Sequence, residues 1–132
     1  MSFQDEFSRK VKEYLEPDPD EEILEREYNK LVLNYFTSLN KKIGKVKRDR
    51  QYYLRCSSEI CCVKIDDVEL SFNINKENNT VEVIKRIRTA EYKIDTWVIK
   101  DNSLYSEKRN AIPQNELIDE YLKETFKDLL NL

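Results

Sequence analysis

The sequence predicts an α+β domain: two N-terminal helices, an antiparallel meander of about five strands and a C-terminal helix, with the helices packed on one sheet face. Three observations carry that prediction. Apolar residues recur at helical spacing at both ends of the chain, and the period switches to two between residues 52 and 100. The turns between the apolar runs are too short to hold the crossover helix that a parallel strand needs. A length of 132 residues fits one domain, 1–132, of the usual size of roughly 150 residues. Such a chain buries about two-thirds of its unfolded surface and needs no metal or disulfide to hold it together.

Phe3, Phe7, Val11 and Leu15 fall at steps of four, with Tyr14 alongside, and predict the first helix, which Pro17 and Pro19 end. Asp18 then serves as N-cap of a second helix, with Pro19 at its first position and Glu21 closing a capping box. Asp20, Glu21 and Glu22 lie where the helix dipole favours negative charge. The apolar face runs through Leu24, Tyr28, Leu31, Val32, Tyr35, Phe36 and Leu39. Lys41 and Lys42 occupy the last turn, and Gly44, the sole glycine, follows as a left-handed cap. Strands are expected at Tyr52–Ser57, Ile60–Ile65, Val68–Ile74, Val81–Ile87 and Tyr92–Lys100, with turns at Ser57-Ser58, Asp66-Asp67, Lys76–Asn79 and Asp101–Ser103. Ile84 and Ile87 break the alternation of the fourth strand, as a bulge or burial on both sides would. After the polar stretch Ser106–Asn110, Pro113 opens the last helix, whose apolar residues are Leu117, Ile118, Tyr121, Leu122, Phe126, Leu129 and Leu130.

Composition excludes more than it suggests. The chain has no His, which removes Ser-His-Asp and Cys-His catalysis and His-ligated metals. A single Gly leaves no glycine-rich phosphate cradle. Charged residues make up 37% of the chain against a usual 25% or so, with a net charge of -3, which describes a strongly solvated surface. The charged start, residues 1–15, holds no signal-peptide apolar region, and no apolar run approaches a membrane span. These features predict a cytoplasmic protein with no membrane partner. Cys56, Cys61 and Cys62 cannot all pair within one chain, so reduced thiols packed as small strand hydrophobes are expected. Asn78-Asn79-Thr80 fits a glycosylation sequon but reads as a turn.

Three groups of residues stand out. Residues 41–55 carry seven basic groups against Asp49 alone and run into two tyrosines, so Lys45, Lys47, Arg48, Arg50, Tyr52 and Tyr53 are candidate contacts to nucleic acid or another polyanion. The bland alternative is a dipole-complementing helix end and a solvated connection, in keeping with a pI near 5.2. Asp66, Asp67 and Glu69, with Glu91 and Lys93, have the elements of a metal-dependent hydrolase, but about two Glu-x-Lys triplets are expected by chance among 16 Glu and 15 Lys. With Ile94 and Val98 taken as inward, Asp95, Trp97 and Ile99 fall on the outer face of the sheet. An exposed Trp beside an Ile predicts a partner surface there.

The opening Met1-Ser2-Phe3-Gln4-Asp5-Glu6-Phe7, with Lys10-Val11-Lys12-Glu13-Tyr14-Leu15 and the acidic start of the second helix, resembles the N-terminus of a small family of uncharacterised proteins from Bacillus-group bacteria. The resemblance covers about the first quarter of the chain and implies a cytoplasmic bacterial or phage setting. It carries no catalytic residues. The sequence thus predicts a non-catalytic binding or regulatory module acting through protein–protein contacts, plausibly a homodimer formed through helix faces or an unpaired strand edge. No cofactor, metal site or catalytic residue is expected. Nucleic-acid binding through 41–55 is the alternative, and a metal-dependent hydrolase or nuclease the remote one.

Overall fold

The computed structural model describes residues 2–16, 18–47 and 51–132. Helix α1 spans Phe3–Leu15, and Ser2 caps it by accepting the Asp5 N–H at 3.2 Å. Helix α2, Pro19–Tyr28, starts as its sequence requires, with Asp18 Oδ1 accepting the Asp20 N–H at 3.1 Å. It does not run on as one regular helix. A π-helical turn, Asn29–Leu33, intervenes before α3, Asn34–Ile43. The buried positions Leu24, Tyr28, Val32 and Phe36 recur at strict steps of four. Such a row drifts around a 3.6-residue helix, and a wider turn takes up part of the drift, keeping all four side chains in the core. Gly44 ends α3 at φ 63°, where its N–H returns to the Asn40 carbonyl.

The sheet has six antiparallel strands in sequence order, β1 Tyr52–Cys56, β2 Ile60–Ile65, β3 Val68–Asn75, β4 Thr80–Ile87, β5 Ala90–Lys100 and β6 Ser103–Ser106. The sixth strand lies between the expected turn at Asp101–Ser103 and the polar stretch Ser106–Asn110, where the sequence assigned no element. The hairpin turns place Asp66, Asn79, Arg88, Asp101 and Asn102 at positive φ, and four of the five are Asp or Asn at expected turn sites. Asn79, in the sequon, is one of these turn residues. Helix α4, Asn115–Leu130, begins two residues after Pro113 and ends on Asn131 in the left-handed conformation.

One face of the sheet, with α2, α3 and α4, forms the core. Leu70, Phe72, Val81, Val83 and Trp97 from the strands meet Leu24, Tyr28, Val32 and Phe36 from the long helix and Ile118, Tyr121 and Phe126 from α4. Phe72 is the hub, with ring centroids 5.4 Å from Phe36, 5.5 Å from Trp97 and 5.9 Å from Tyr121. Helix α1 is the exception, since none of its residues is buried. The expectation that both N-terminal helices pack on the sheet therefore holds for the second alone.

Two further expectations are corrected. Asp95 and Trp97 are buried, and Ile99 packs against the core. The cause is a bulge: Val83 pairs with Asp95 and Ile84 with Lys93, which leaves Ile94 as an extra residue in β5. Ile94 and Asp95 are consequently both buried, and reading Ile94 as the start of a regular alternation assigned the rest of the strand to the wrong face. The thiols are the second correction. Ser57 donates its N–H to the Ile60 carbonyl at 2.8 Å, closing a tight turn that sets Cys56 directly opposite Cys61, Cα atoms 4.0 Å apart, and a disulfide joins them. Cys62 alone is free, and it is buried.

Candidate functional site

The interior holds one polar cluster, and it is fully engaged. Asp95 accepts the Thr96 N–H at 2.7 Å and the Lys108 N–H at 3.1 Å on one oxygen, and the Ser106 hydroxyl at 2.5 Å together with the Tyr121 hydroxyl on the other. Tyr121 in turn accepts the Trp97 Nε1–H at 3.0 Å. Four donors satisfy the carboxylate, so it fastens α4 and the loop after β6 to the middle of β5 and has no lone pair left for a ligand. Burial, and then the bond to Asp95, push the Tyr121 phenol well above its ordinary range.

The outer sheet face is polar and laced with ion pairs. Arg86 holds Glu91 at 2.6 Å and Glu69 at 3.4 Å, Lys93 lies 3.7 Å from Glu82, and Lys100 sits over the Tyr105 ring at 4.2 Å. Antiparallel sheets commonly leave one solvated face of this kind. Of the carboxylates considered for a hydrolase, Glu69 and Glu91 are thereby tied to Arg86, and Asp67 faces Arg88 at 3.7 Å. No group of three or more acidic or thiol side chains is placed to hold a metal ion among the described residues.

Only part of the basic segment falls among the described residues. Lys45 and Lys47 are exposed, whereas Arg48 and Arg50 lie outside the described residues. Tyr52 is half-buried on the core side, with its hydroxyl donating to Asn40 Oδ1 at 3.3 Å. Tyr53 is exposed on the opposite face, as adjacent strand residues must be. The two rings thus form no common stacking platform. Beside Tyr52, Ile43, Val46, Ile65, Leu129 and Leu130 line an apolar groove of about 530 Å³ that borders the undescribed residues. A second, polar hollow of about 500 Å³ lies between α3 and α4, where Tyr35 donates to Asp119 at 2.5 Å. Burial, then Asp119, push the Tyr35 phenol upward.

Helix α1 is a further feature that packing within the fold does not explain. Its row of apolar side chains faces solvent: Phe3 is 75% exposed, Phe7 59%, Tyr14 88% and Leu15 70%. Phe3 and Phe7 touch each other, with ring centroids 6.0 Å apart, and no other described ring. Arg9 and Glu13, bridged at 2.8 Å, mark the opposite, polar face. The sequence revealed this stripe but gave it to the sheet. Periodicity reports that a face is apolar and does not say what lies against it.

No helix among the described residues is long and apolar enough to cross a membrane. Neither a curated protein nor a solved structure matches the chain. A family model does match, over residues 5–130, from within α1 to the end of α4: the chain belongs to the family described as Protein of unknown function (DUF3942).

Proposed function

We propose that the chain is a non-catalytic binding module that works through protein–protein contacts, with α1 as the element that makes them. The observation that carries the reading is a thirteen-residue amphipathic helix none of whose residues is buried. Isolated helices of that length are marginal in water, and in proteins most helical stability comes from covering the apolar face. A contiguous exposed apolar row rimmed by charge is the usual mark of an interaction site. Nucleic-acid binding has less support, because Tyr52 and Tyr53 point to opposite sides of the sheet. Hydrolase chemistry has less still, because Glu69, Glu91 and Asp67 are committed to arginines. A cytoplasmic bacterial or phage setting stays part of the proposal on the N-terminal resemblance alone. The Cys56–Cys61 disulfide pulls the other way, since such bonds persist mainly in oxidising compartments.

The test places a photo-crosslinking phenylalanine analogue at Phe7 of the full chain in the producing cells. The reading expects an adduct of defined protein mass that disappears when Val11→Glu is added. Irradiation that yields no protein adduct would overturn it.

A further inference from the structure

We infer that α1 pairs with α1 of a second copy of this chain, antiparallel, to form a homodimer. This rests on the reading of α1 as an interaction helix and names its partner.

The argument is the self-complementarity of the row. In an antiparallel pair with its two-fold axis at Arg9, residue i meets residue 18 − i of the other copy. Phe3 then lies against Leu15 of the second copy, and Phe7 against Val11 of the second copy. Each aromatic ring meets an aliphatic side chain, and the rows at steps of four interdigitate as ridges of that spacing do. At 100° per residue, Asp5 and Lys12 flank the row on one side and Glu6 and Lys10 on the other. An antiparallel two-fold brings each flank against itself, so Lys12 meets Asp5 of the second copy while Glu6 meets Lys10 of the second copy. The two helix dipoles also oppose each other.

The area is sufficient. An aromatic side chain offers about 150–250 Å² for burial. Scaled by the exposures of Phe3, Phe7, Val11, Tyr14 and Leu15, two copies remove roughly 1,100 Å² from solvent. That clears the threshold of about 1,000 Å² for a specific interface and lies at its small end, where weak, concentration-dependent association is the rule. The polar outer sheet face offers no comparable apolar area.

The experiment is sedimentation velocity on the full chain from about 1 to about 200 µM, with three variants alongside. The mass is expected to rise from the 15.9 kDa of one chain toward twice that value. Val11→Glu abolishes the rise. Asp5→Lys alone weakens association about tenfold, and Asp5→Lys with Lys12→Asp restores it, although both changes oppose the helix dipole. A monomer at every concentration overturns the inference, as does a dimer that Val11→Glu leaves intact or a double variant that fails to recover. If the chain is monomeric while the Phe7 adduct with another protein survives, self-pairing fails and the interaction-helix reading stands. If there is neither dimer nor adduct, both fail. A monomer whose α1 instead binds vesicles of anionic phospholipid also overturns the pairing.

Discussion

Helices α1 and α4 read alike in the sequence and end in opposite environments. Each has an apolar row at helical spacing, acidic residues in the first turn and a lysine in the last. Helix α4 buries Ile118, Tyr121, Thr125 and Phe126, whereas α1 buries nothing. The difference lies in cross-links that a periodicity cannot show. Tyr121 reaches Asp95, Glu120 meets Arg109 at 2.8 Å, Glu124 lies 3.8 Å from Lys85 and Asp119 accepts from Tyr35. Each tie matches a polar group on α4 to one on the sheet, on α3 or in the loop after β6. Among the described residues, the ion pair of α1 lies within the helix itself, Arg9–Glu13. An amphipathic helix is thus assigned to a core by its polar side as much as by its apolar one.

The sharpest way to break this comparison is to make the same cut in both helices. Phe126→Ala opens a cavity beneath α4 and is expected to cost about 4 kcal/mol of unfolding free energy. Phe7→Ala, at an exposed site, is expected to stay within about 0.5 kcal/mol in dilute solution, where association contributes nothing. Urea denaturation at low micromolar concentration measures both. A loss at Phe7 that approaches the loss at Phe126 would mean that α1 packs on its own domain after all.

Much of the fold was legible from local rules. The Asp18-Pro19 start, the Gly44 stop, the turn residues and the alternation of Val68, Leu70, Phe72 and Ile74 each follow from backbone or side-chain preferences that act over a few residues. What was not legible depends on registration between segments. A single extra residue at Ile94 inverts the face of Asp95, Trp97 and Ile99, and nothing in β5 alone marks it, because the irregularity shows only against Val83 and Ile84 of β4. The disulfide is similar: the odd cysteine count argued for free thiols, while the tight turn at residues 57–60 decides which two meet. The π turn was not legible, because α1 has the same steps of four and is a regular α-helix. The candidate site was half legible, its stripe visible in the sequence and its lack of a covering partner visible only in the structure.

The next cut goes through the tie that α1 lacks. Asp95→Asn keeps the size of the side chain but replaces one acceptor oxygen by a donor. Both oxygens now accept two hydrogen bonds, so an amide nitrogen on one side faces two backbone N–H donors and on the other forces the Ser106 and Tyr121 hydroxyls to stop donating to residue 95. The expected cost is about 3 kcal/mol, with α4 the first element to open. Amide hydrogen exchange measures it: protection of α4 should fall while exchange in α1 is unchanged. Equal protection in variant and parent would show that apolar packing alone holds α4, and would weaken the contrast drawn between the two helices.

The smallest expected effect has the opposite sign and concerns the helix that lies between these extremes in sequence. Tyr28 on α2 is buried without a partner for its hydroxyl. Burial and, after it, Cys62 push its phenol above the ordinary value near 10. Tyr28→Phe removes an unsatisfied polar atom and should stabilise the domain by about 1 kcal/mol near neutral pH. The same substitution has a signature at alkaline pH. Tyr28, Tyr35 and Tyr121 are all raised in the folded chain, so above pH 10 the unfolded chain has lost protons that the folded one retains. Their contribution is therefore complete below pH 10 and falls as pH rises beyond it. With one of the raised phenols gone, the alkaline limb of stability against pH should be shallower in Tyr28→Phe than in the parent. Urea midpoints at about pH 7, 10 and 11, with tyrosinate absorbance followed in parallel, test both parts. A variant less stable than the parent at neutral pH would mean that the Tyr28 hydroxyl has a partner, and would move that residue from the apolar floor of the core into its polar network.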